Sequence, residues 1–333
     1  MKALVYTRPD EVQFQEYPDP VLNPGEVIIK IVASGICGSD MHAYHGHDPR
    51  RNPGLVMGHE LSGEIWQSAS PLYKVGQKVT VDPLITCGNC YYCRNGFDNL
   101  CLDRGMVGMT RPGAYAQYMS IPAACVVPLP DDMPHSVGVL TEPASTVVHA
   151  LNISMPKMLR PVQEQKVLVI GGGAIGLLMT LLLQSYGVKH IDIAETNPLR
   201  RASLAEHTTA RAFDSISEPP AESSYGFVVD AVGRKVTRDM AIHALRPKGV
   251  LMHMGLQDWG TEVDMRKITL SELVVLGTYT YSYADMLATV AALHDGVFGD
   301  LAWVEHHALE DGAEAFRILA EQRTQAAKIV LEP

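Results

Sequence analysis

Residues 167–176 read Val167-Leu168-Val169-Ile170-Gly171-Gly172-Gly173-Ala174-Ile175-Gly176. Four aliphatic residues in a row predict a strand buried on both faces. A glycine turn then opens the helical run Ala174–Tyr186, which Gly187 ends. Further strands are expected at Ile191–Ala194, Ala212–Phe213, Phe227–Asp230, Val250–Met254 and Val274–Gly277. Helices are expected at Pro198–Glu206 and Thr237–Leu245. Strands that alternate with helices in this way predict an α/β fold with a doubly wound parallel sheet.

Gly171-x-Gly173-x-x-Gly176, placed between a strand and a helix, is a dinucleotide-binding turn. Gly171 permits the turn and Gly173 lets a pyrophosphate approach the backbone. Gly176, just after Ile175, lets the helix pack on the sheet. The phosphates then meet the free N–H groups and positive dipole of the helix N-terminus. Glu195 ends the second strand about 20 residues on, where a carboxylate binds the adenosine ribose and repels a 2′-phosphate. This points to NAD over NADP, while the neighbouring Arg200 and Arg201 pull the other way.

Upstream the texture differs. Residues 1–145 are rich in Gly and Pro, with short β-branched runs at Val27–Ala33, Leu61–Trp66, Lys78–Val81 and Cys125–Leu129. They predict a β-rich domain with long loops. Four of the six cysteines fall at Cys87, Cys90, Cys93 and Cys101. Four thiolates in one short loop suit a closed, tetrahedral structural zinc. Cys37, His59 and Glu60 supply a thiolate, an imidazole and a carboxylate, the donors of a catalytic zinc with an open position.

Taken in order and spacing, Cys37–Asp40, Gly58–Glu60, the four-cysteine loop, Gly113–Tyr118, Glu142-Pro143 and the glycine turn resemble the zinc-containing medium-chain alcohol dehydrogenases. Within them the resemblance is to the polyol branch, which includes sorbitol, threonine and galactitol-phosphate dehydrogenases, and it covers nearly the whole chain. It implies a GroES-like catalytic domain over residues 1–147 and 286–333, a Rossmann NAD-binding domain over residues 148–285, and two zincs per chain. Cys37, His59 and Glu142 match the catalytic zinc ligands, Glu142 standing where ordinary alcohol dehydrogenases carry a cysteine. Glu60 matches a carboxylate beside the metal that can replace water or substrate as a ligand. Asp40 matches the carboxylate that orients the ligand histidine. Ser39 and His42 match a relay that passes the alcohol proton through the cofactor ribose towards solvent. The resemblance also assigns Val232 and Gly255, at the carboxyl ends of their strands, to the cofactor. It pairs Arg200 with the acidic residue in NAD enzymes, and it returns the tail Ala327–Val330, with Lys328, to the catalytic domain. Dimers or tetramers built through the edge strand near Leu273–Gly277 are implied as well.

The composition fits this reading. The 333 residues are 47% hydrophobic and 19% charged, with a formal charge of −10, which disfavours nonspecific nucleic-acid binding. Arg8, Asp10 and Glu11 interrupt any secretory apolar core, and glycines break the longest apolar run, so a cytoplasmic protein without a membrane span is expected. The expected partner is a small alcohol, oxidised with NAD as hydride acceptor. Leu84 stands where the threonine branch carries a substrate-contacting histidine, which disfavours threonine. Nothing supports a phosphorylated substrate beyond Arg50 and Arg51. A silent, zinc-retaining binding protein is the alternative of another class. Cys125 is expected buried, and His306-His307 facing solvent.

Overall fold

The computed structural model describes residues 1–333. Its centre is a six-stranded sheet in the order Arg211–Phe213, His190–Ala194, Lys166–Ile170, Tyr225–Asp230, Leu245–His253, Val274–Gly277. Every neighbouring pair runs parallel. Val167, Leu168, Val169 and Ile170 are buried, as a strand covered on both faces requires. The chain starts in the middle strand, winds outward to Arg211–Phe213, then crosses back to Tyr225–Asp230. The order therefore reverses beside the glycine turn, the place where open α/β sheets bind ligands.

The second sheet has the order Val304–Ala308, Lys328–Glu332, Glu26–Gly35, Glu60–Ser68, Lys78–Val81, Val126–Pro128, with Tyr118–Pro122 pairing Glu26–Gly35. It is antiparallel except for its first pair. The tail strand inserts next to Glu26–Gly35, so the last residues complete a sheet begun by the first. His306 and His307 lie on successive positions of Val304–Ala308, where side chains alternate between faces. Only His306 is exposed, and His307 is half-buried, so the expected solvent-facing pair is corrected to one outward histidine. Cys125 is buried as expected.

Helix Thr141–Ser154 joins the two sheets. It packs against Ala174–Ser185 and Tyr283–His294. One apolar cluster runs through Ala33, Val127 and Val330 of the second sheet, Val147 and Leu151 of this helix, and Val167 and Phe227 of the parallel sheet. The expected division points, 147/148 and 285/286, fall inside two of these packed helices. No helix is long and apolar enough to cross a membrane.

Helices Thr141–Ser154 and Tyr283–His294 are also bolted together by polar groups. Asp285 accepts from Asn152 Nδ2 at 2.7 Å and lies 2.7 Å from His149 Nδ1, while Ser282 Oγ donates to it at 2.5 Å. Burial opposes ionisation of Asp285, but these partners outweigh it and hold its carboxyl well below the usual range. A carboxyl whose pKa is lower folded than unfolded adds stability above its ordinary value near about 3.9. That stability is lost as the pH falls below this value. Asp285→Asn should therefore lower the unfolding free energy by about 1.5–3 kcal/mol at neutral pH and shrink the acid-side loss. Denaturant titrations of both proteins at neutral and acid pH check this, and identical midpoints at neutral pH would contradict it.

Candidate active site

Strand register brings the first site residues together. Gly35, at the end of Glu26–Gly35, faces Glu60, at the start of Glu60–Ser68. The chain reaches Cys37 just after Gly35 and His59 just before Glu60. Cys37, His59 and Glu60 consequently hold ligand atoms within 4.8 Å of one another. Cys37 caps helix Gly38–Tyr44, which carries Ser39, Asp40 and His42.

Asp40 is fully buried behind His59, with Oδ1 3.5 Å from His59 Nδ1. Its Oδ2 accepts from Tyr115 O–H at 2.7 Å and from Cys37 N–H at 3.3 Å. Burial works against the charge, yet His59, Arg51 and Tyr115 hold the Asp40 carboxyl well below its usual range. Burial likewise opposes protonation of His59, but Asp40 and Cys37 raise its pKa. His59 Nδ1 has no hydrogen-bond partner in the interior. A thiolate, an imidazole backed by a carboxylate, and a second carboxylate are the donors zinc takes, so the site fits that ion.

Lys328 was legible as part of a tail but not as part of the site. Its buried ammonium donates to both Glu60 oxygens at 2.7 Å and to Ile36 C=O at 2.9 Å. Glu142, in the first turn of Thr141–Ser154, is buried near the trio without joining it at the 4.8 Å spacing. Burial pushes its carboxyl up to about 7, and it accepts from Tyr281 O–H at 3.2 Å. Tyr281 had no motif to announce it; it enters from the segment after Val274–Gly277. Ser39 Oγ accepts from Arg51 Nη2 at 3.3 Å. His42 lies with its ring centroid 6.3 Å from that of His47. Burial and then His47 lower its pKa. Arg50 and Arg51 are spent on Asp48 and Asp40.

The four loop cysteines carry no disulfide. Their Sγ atoms stand 3.5 Å (Cys87–Cys101), 3.6 Å (Cys90–Cys93), 3.9 Å (Cys87–Cys93) and 4.0 Å (Cys90–Cys101) apart. A tetrahedron with Zn–S bonds of about 2.3 Å has edges of about 3.8 Å. Backbone N–H groups pull Cys90 down to about 6, whereas desolvation and the neighbouring thiols push Cys93 up to about 12. Four thiolates here need a cation between them.

At the glycine turn, Gly171 has φ +97°. Gly173 is the N-cap of Ala174–Ser185, and a Cβ there would meet nothing within 4 Å. A Cβ on Gly176 would strike Gly171 C=O and lie 3.3 Å from Val169. The second glycine thus leaves open room at a helix N-terminus, and the third secures helix–strand packing. Ile175 is half-buried on the same turn. Glu195 accepts from Gly172 N–H at 2.8 Å and Asn197 N–H at 2.7 Å, which holds its carboxylate beside the turn. Arg200 Nε is buried without a partner. The Val232 and Gly255 backbones are in close contact, across the ends of Tyr225–Asp230 and Leu245–His253.

An alcohol dehydrogenase GroES-like domain matches residues 23–131, and a glucose dehydrogenase C-terminus matches residues 135–320. The L-threonine 3-dehydrogenase of Mesorhizobium japonicum is 30% identical over 349 residues, spanning 100% of this chain and 98% of that protein. The chain belongs to the zinc-containing medium-chain alcohol dehydrogenase family. Galactitol-1-phosphate dehydrogenase from Escherichia coli shares its fold with a TM-score of 0.90 at 25% identity, over 100% of both chains. Acetophenone reductase from Geotrichum candidum, solved with NAD, gives 0.88 at 25% identity, over 100% of this chain and 97% of that one. This member of the family is a zinc-dependent oxidoreductase of the alcohol type that uses a nicotinamide dinucleotide.

The second and third glycines of the turn separate binding from stability. Gly173→Val keeps an allowed backbone and open space in the free protein, so its melting temperature should hold. Its dinucleotide Kd should rise about tenfold or more, roughly 1.4 kcal/mol. Gly176→Ala should instead destabilise by about 1–3 kcal/mol through overpacking. Calorimetry and a fluorescence titration with NAD distinguish the two; wild-type affinity in Gly173→Val would remove the turn from the phosphate site.

Proposed function

We propose that this enzyme oxidises a secondary hydroxyl of a polyol or diol, with NAD as hydride acceptor. The observation that carries this reading is Glu142, a buried carboxylate beside Cys37, His59 and Glu60 where simple alcohol dehydrogenases have a thiolate. Cys37, His59 and Glu142 would hold the catalytic zinc, with Glu60, tied to Lys328, as the exchangeable carboxylate. Cys87, Cys90, Cys93 and Cys101 would hold the second. When bound, zinc supplies a Lewis acid that lowers the alcohol pKa, and the nicotinamide supplies the hydride acceptor. Ser39 Oγ receives the alcohol proton, and His42 hands it towards solvent near neutral pH. Asp40 keeps the His59 ring in one orientation.

Glu195 supports NAD, because its fixed carboxylate beside Gly172 repels a 2′-phosphate. Gly171, Gly173, Ile175, Gly176, Arg200, Val232 and Gly255 would line the rest of the dinucleotide path. The reading includes a cytoplasmic homodimer or homotetramer. The edge strand Val274–Gly277, with Val275 49% exposed, is the surface through which copies would pair. It also divides the chain into residues 1–147 with 286–333, and 148–285.

A second reading, L-threonine as substrate, is favoured by the curated relative from Mesorhizobium japonicum. Leu84, buried where that branch carries a histidine, weighs against it. Arg50 and Arg51 are engaged by aspartates, which weighs against a phosphorylated substrate.

A panel of sugar alcohols, vicinal diols, simple alcohols and L-threonine, scored by NAD and NADP reduction, tests these readings. The expected result is highest kcat/KM on a polyol or diol with NAD. Preference for L-threonine, or equal use of NADP, would replace the corresponding half of the proposal. Glu142→Ala should lower kcat/KM by about 10-fold or more while the protein stays folded. Cys93→Ser should lose folded protein and one zinc.

A further inference from the structure

The guanidinium of Arg51 has no role in the reaction as described, yet it touches two groups that do. Its side chain is fully buried. All five of its N–H donors are used. Nε donates to Gly108 C=O at 3.2 Å, and Nη1 donates to Ser39 C=O at 3.2 Å and Asp48 Oδ2 at 2.8 Å. Nη2 donates to Ser39 Oγ at 3.3 Å and to Asp40 Oδ1 at 3.1 Å. The oxygen it grips on Asp40 is the one that faces His59 Nδ1.

We propose that Arg51 is a positioning residue for the proton relay and the catalytic zinc together, holding the Ser39 hydroxyl and the Asp40 carboxylate in one rigid fork. This rests on the zinc and relay roles proposed above for Ser39, Asp40 and His59. A serine hydroxyl has one O–H and two lone pairs. Arg51 occupies one lone pair, which leaves the other to receive the alcohol proton and keeps the O–H turned away from the cation. As the alcohol proton arrives on that lone pair, the O–H bond breaks and its own proton passes along the proposed relay to the His42 imidazole, so Ser39 is neutral before and after. On the other side, the bond to Oδ1 fixes the carboxylate plane against which the His59 ring is set. Such supports behind a metal-bound imidazole are worth about 10- to 100-fold in affinity or activity. A lysine is a point charge on a flexible stem and cannot reproduce a planar fork with five fixed donors.

The test uses full-length, zinc-loaded Arg51→Lys and Arg51→Gln. Zinc retention against a competing chelator, circular dichroism, kcat, KM for NAD and the solvent deuterium isotope effect on kcat are measured. The expected result is one of the two zincs weakened by about 10- to 100-fold and kcat reduced by a similar factor. KM for NAD should stay near wild type, and the solvent isotope effect should rise as proton transfer becomes slower. Wild-type zinc retention or wild-type kcat in a folded variant would overturn the proposal, as would a fall in activity that only tracks loss of folded protein. If both variants fail to fold, Asp48→Asn serves, since it frees one arm of the fork and leaves Ser39 and Asp40 intact. A folded Asp48→Asn should lose about twofold or more in kcat with a raised isotope effect, and wild-type values there would overturn the proposal. Chelator competition needs no substrate, so intact zinc affinity in the variants refutes Arg51's role. Absence of any alcohol oxidation by the wild type refutes the activity reading.

Discussion

Three carboxylates, Asp40, Glu60 and Glu142, are buried in one small neighbourhood next to Cys37 and His59. A protein interior holds such charge only with partners. Arg51 answers Asp40 and Lys328 answers Glu60. Glu142 has no cation of its own among its hydrogen-bond partners, only the O–H of Tyr281, and burial pushes its carboxyl up to about 7. A divalent ion held by Cys37, His59 and a neighbouring carboxylate would supply positive charge here. The same logic, with thiolates in place of carboxylates, governs the cysteine loop.

This balance depends on parts of the chain that meet only through the fold. The register of Gly35 against Glu60 sets Cys37 beside His59. The tail strand brings Lys328, helix Thr141–Ser154 brings Glu142, and the segment after Val274–Gly277 brings Tyr281. The contact of His149 and Asn152 with Asp285 holds the last two contributors in register. The carboxylate beside Cys37, His59 and Glu60 therefore sits in the first turn of helix Thr141–Ser154, and its phenol partner lies just ahead of the packed helix Tyr283–His294. The glycine turn opens at the reversal point of the neighbouring parallel sheet.

What could be read beforehand was local. The glycine turn and the cysteine loop each place their chemistry within a few residues, so spacing alone describes their geometry. The inner parallel strands were legible because burial on both faces leaves aliphatic runs such as Val167–Ile170. Helix Thr141–Ser154 was not, because Pro143 and the β-branched Thr146, Val147 and Val148 are poor helix formers; burial of Val147, Ala150 and Leu151 holds it instead. Strands Lys2–Arg8 and Glu11–Glu16 were also missed. Their turn passes through Asp10 at φ +62°, an uncommon conformation for a residue other than glycine. Lys328 and Tyr281 escaped as functional groups because their partners lie 268 and 139 residues away. Arg51 is only 11 residues from Asp40, but the intervening loop has no period from which a contact could be read.

The separation of Glu60 from Lys328 also orders events during synthesis. At about 5–20 residues per second, a ribosome takes roughly ten seconds to a minute to travel from one to the other. Throughout that interval the strand Glu26–Gly35 has its neighbour Glu60–Ser68 but lacks the tail strand that later pairs with Ser34 and Gly35. Until then Ser34 and Gly35 lack their partners on that edge, although Tyr118–Pro122 can already pair Glu26–Lys30, and the Glu60 carboxylate lacks its ammonium. The cysteine loop, wholly encoded in the early segment, can close on its ion long before. Every cysteine of that loop is encoded before residue 102, whereas the site around Glu60 is complete only once Lys328 has been made.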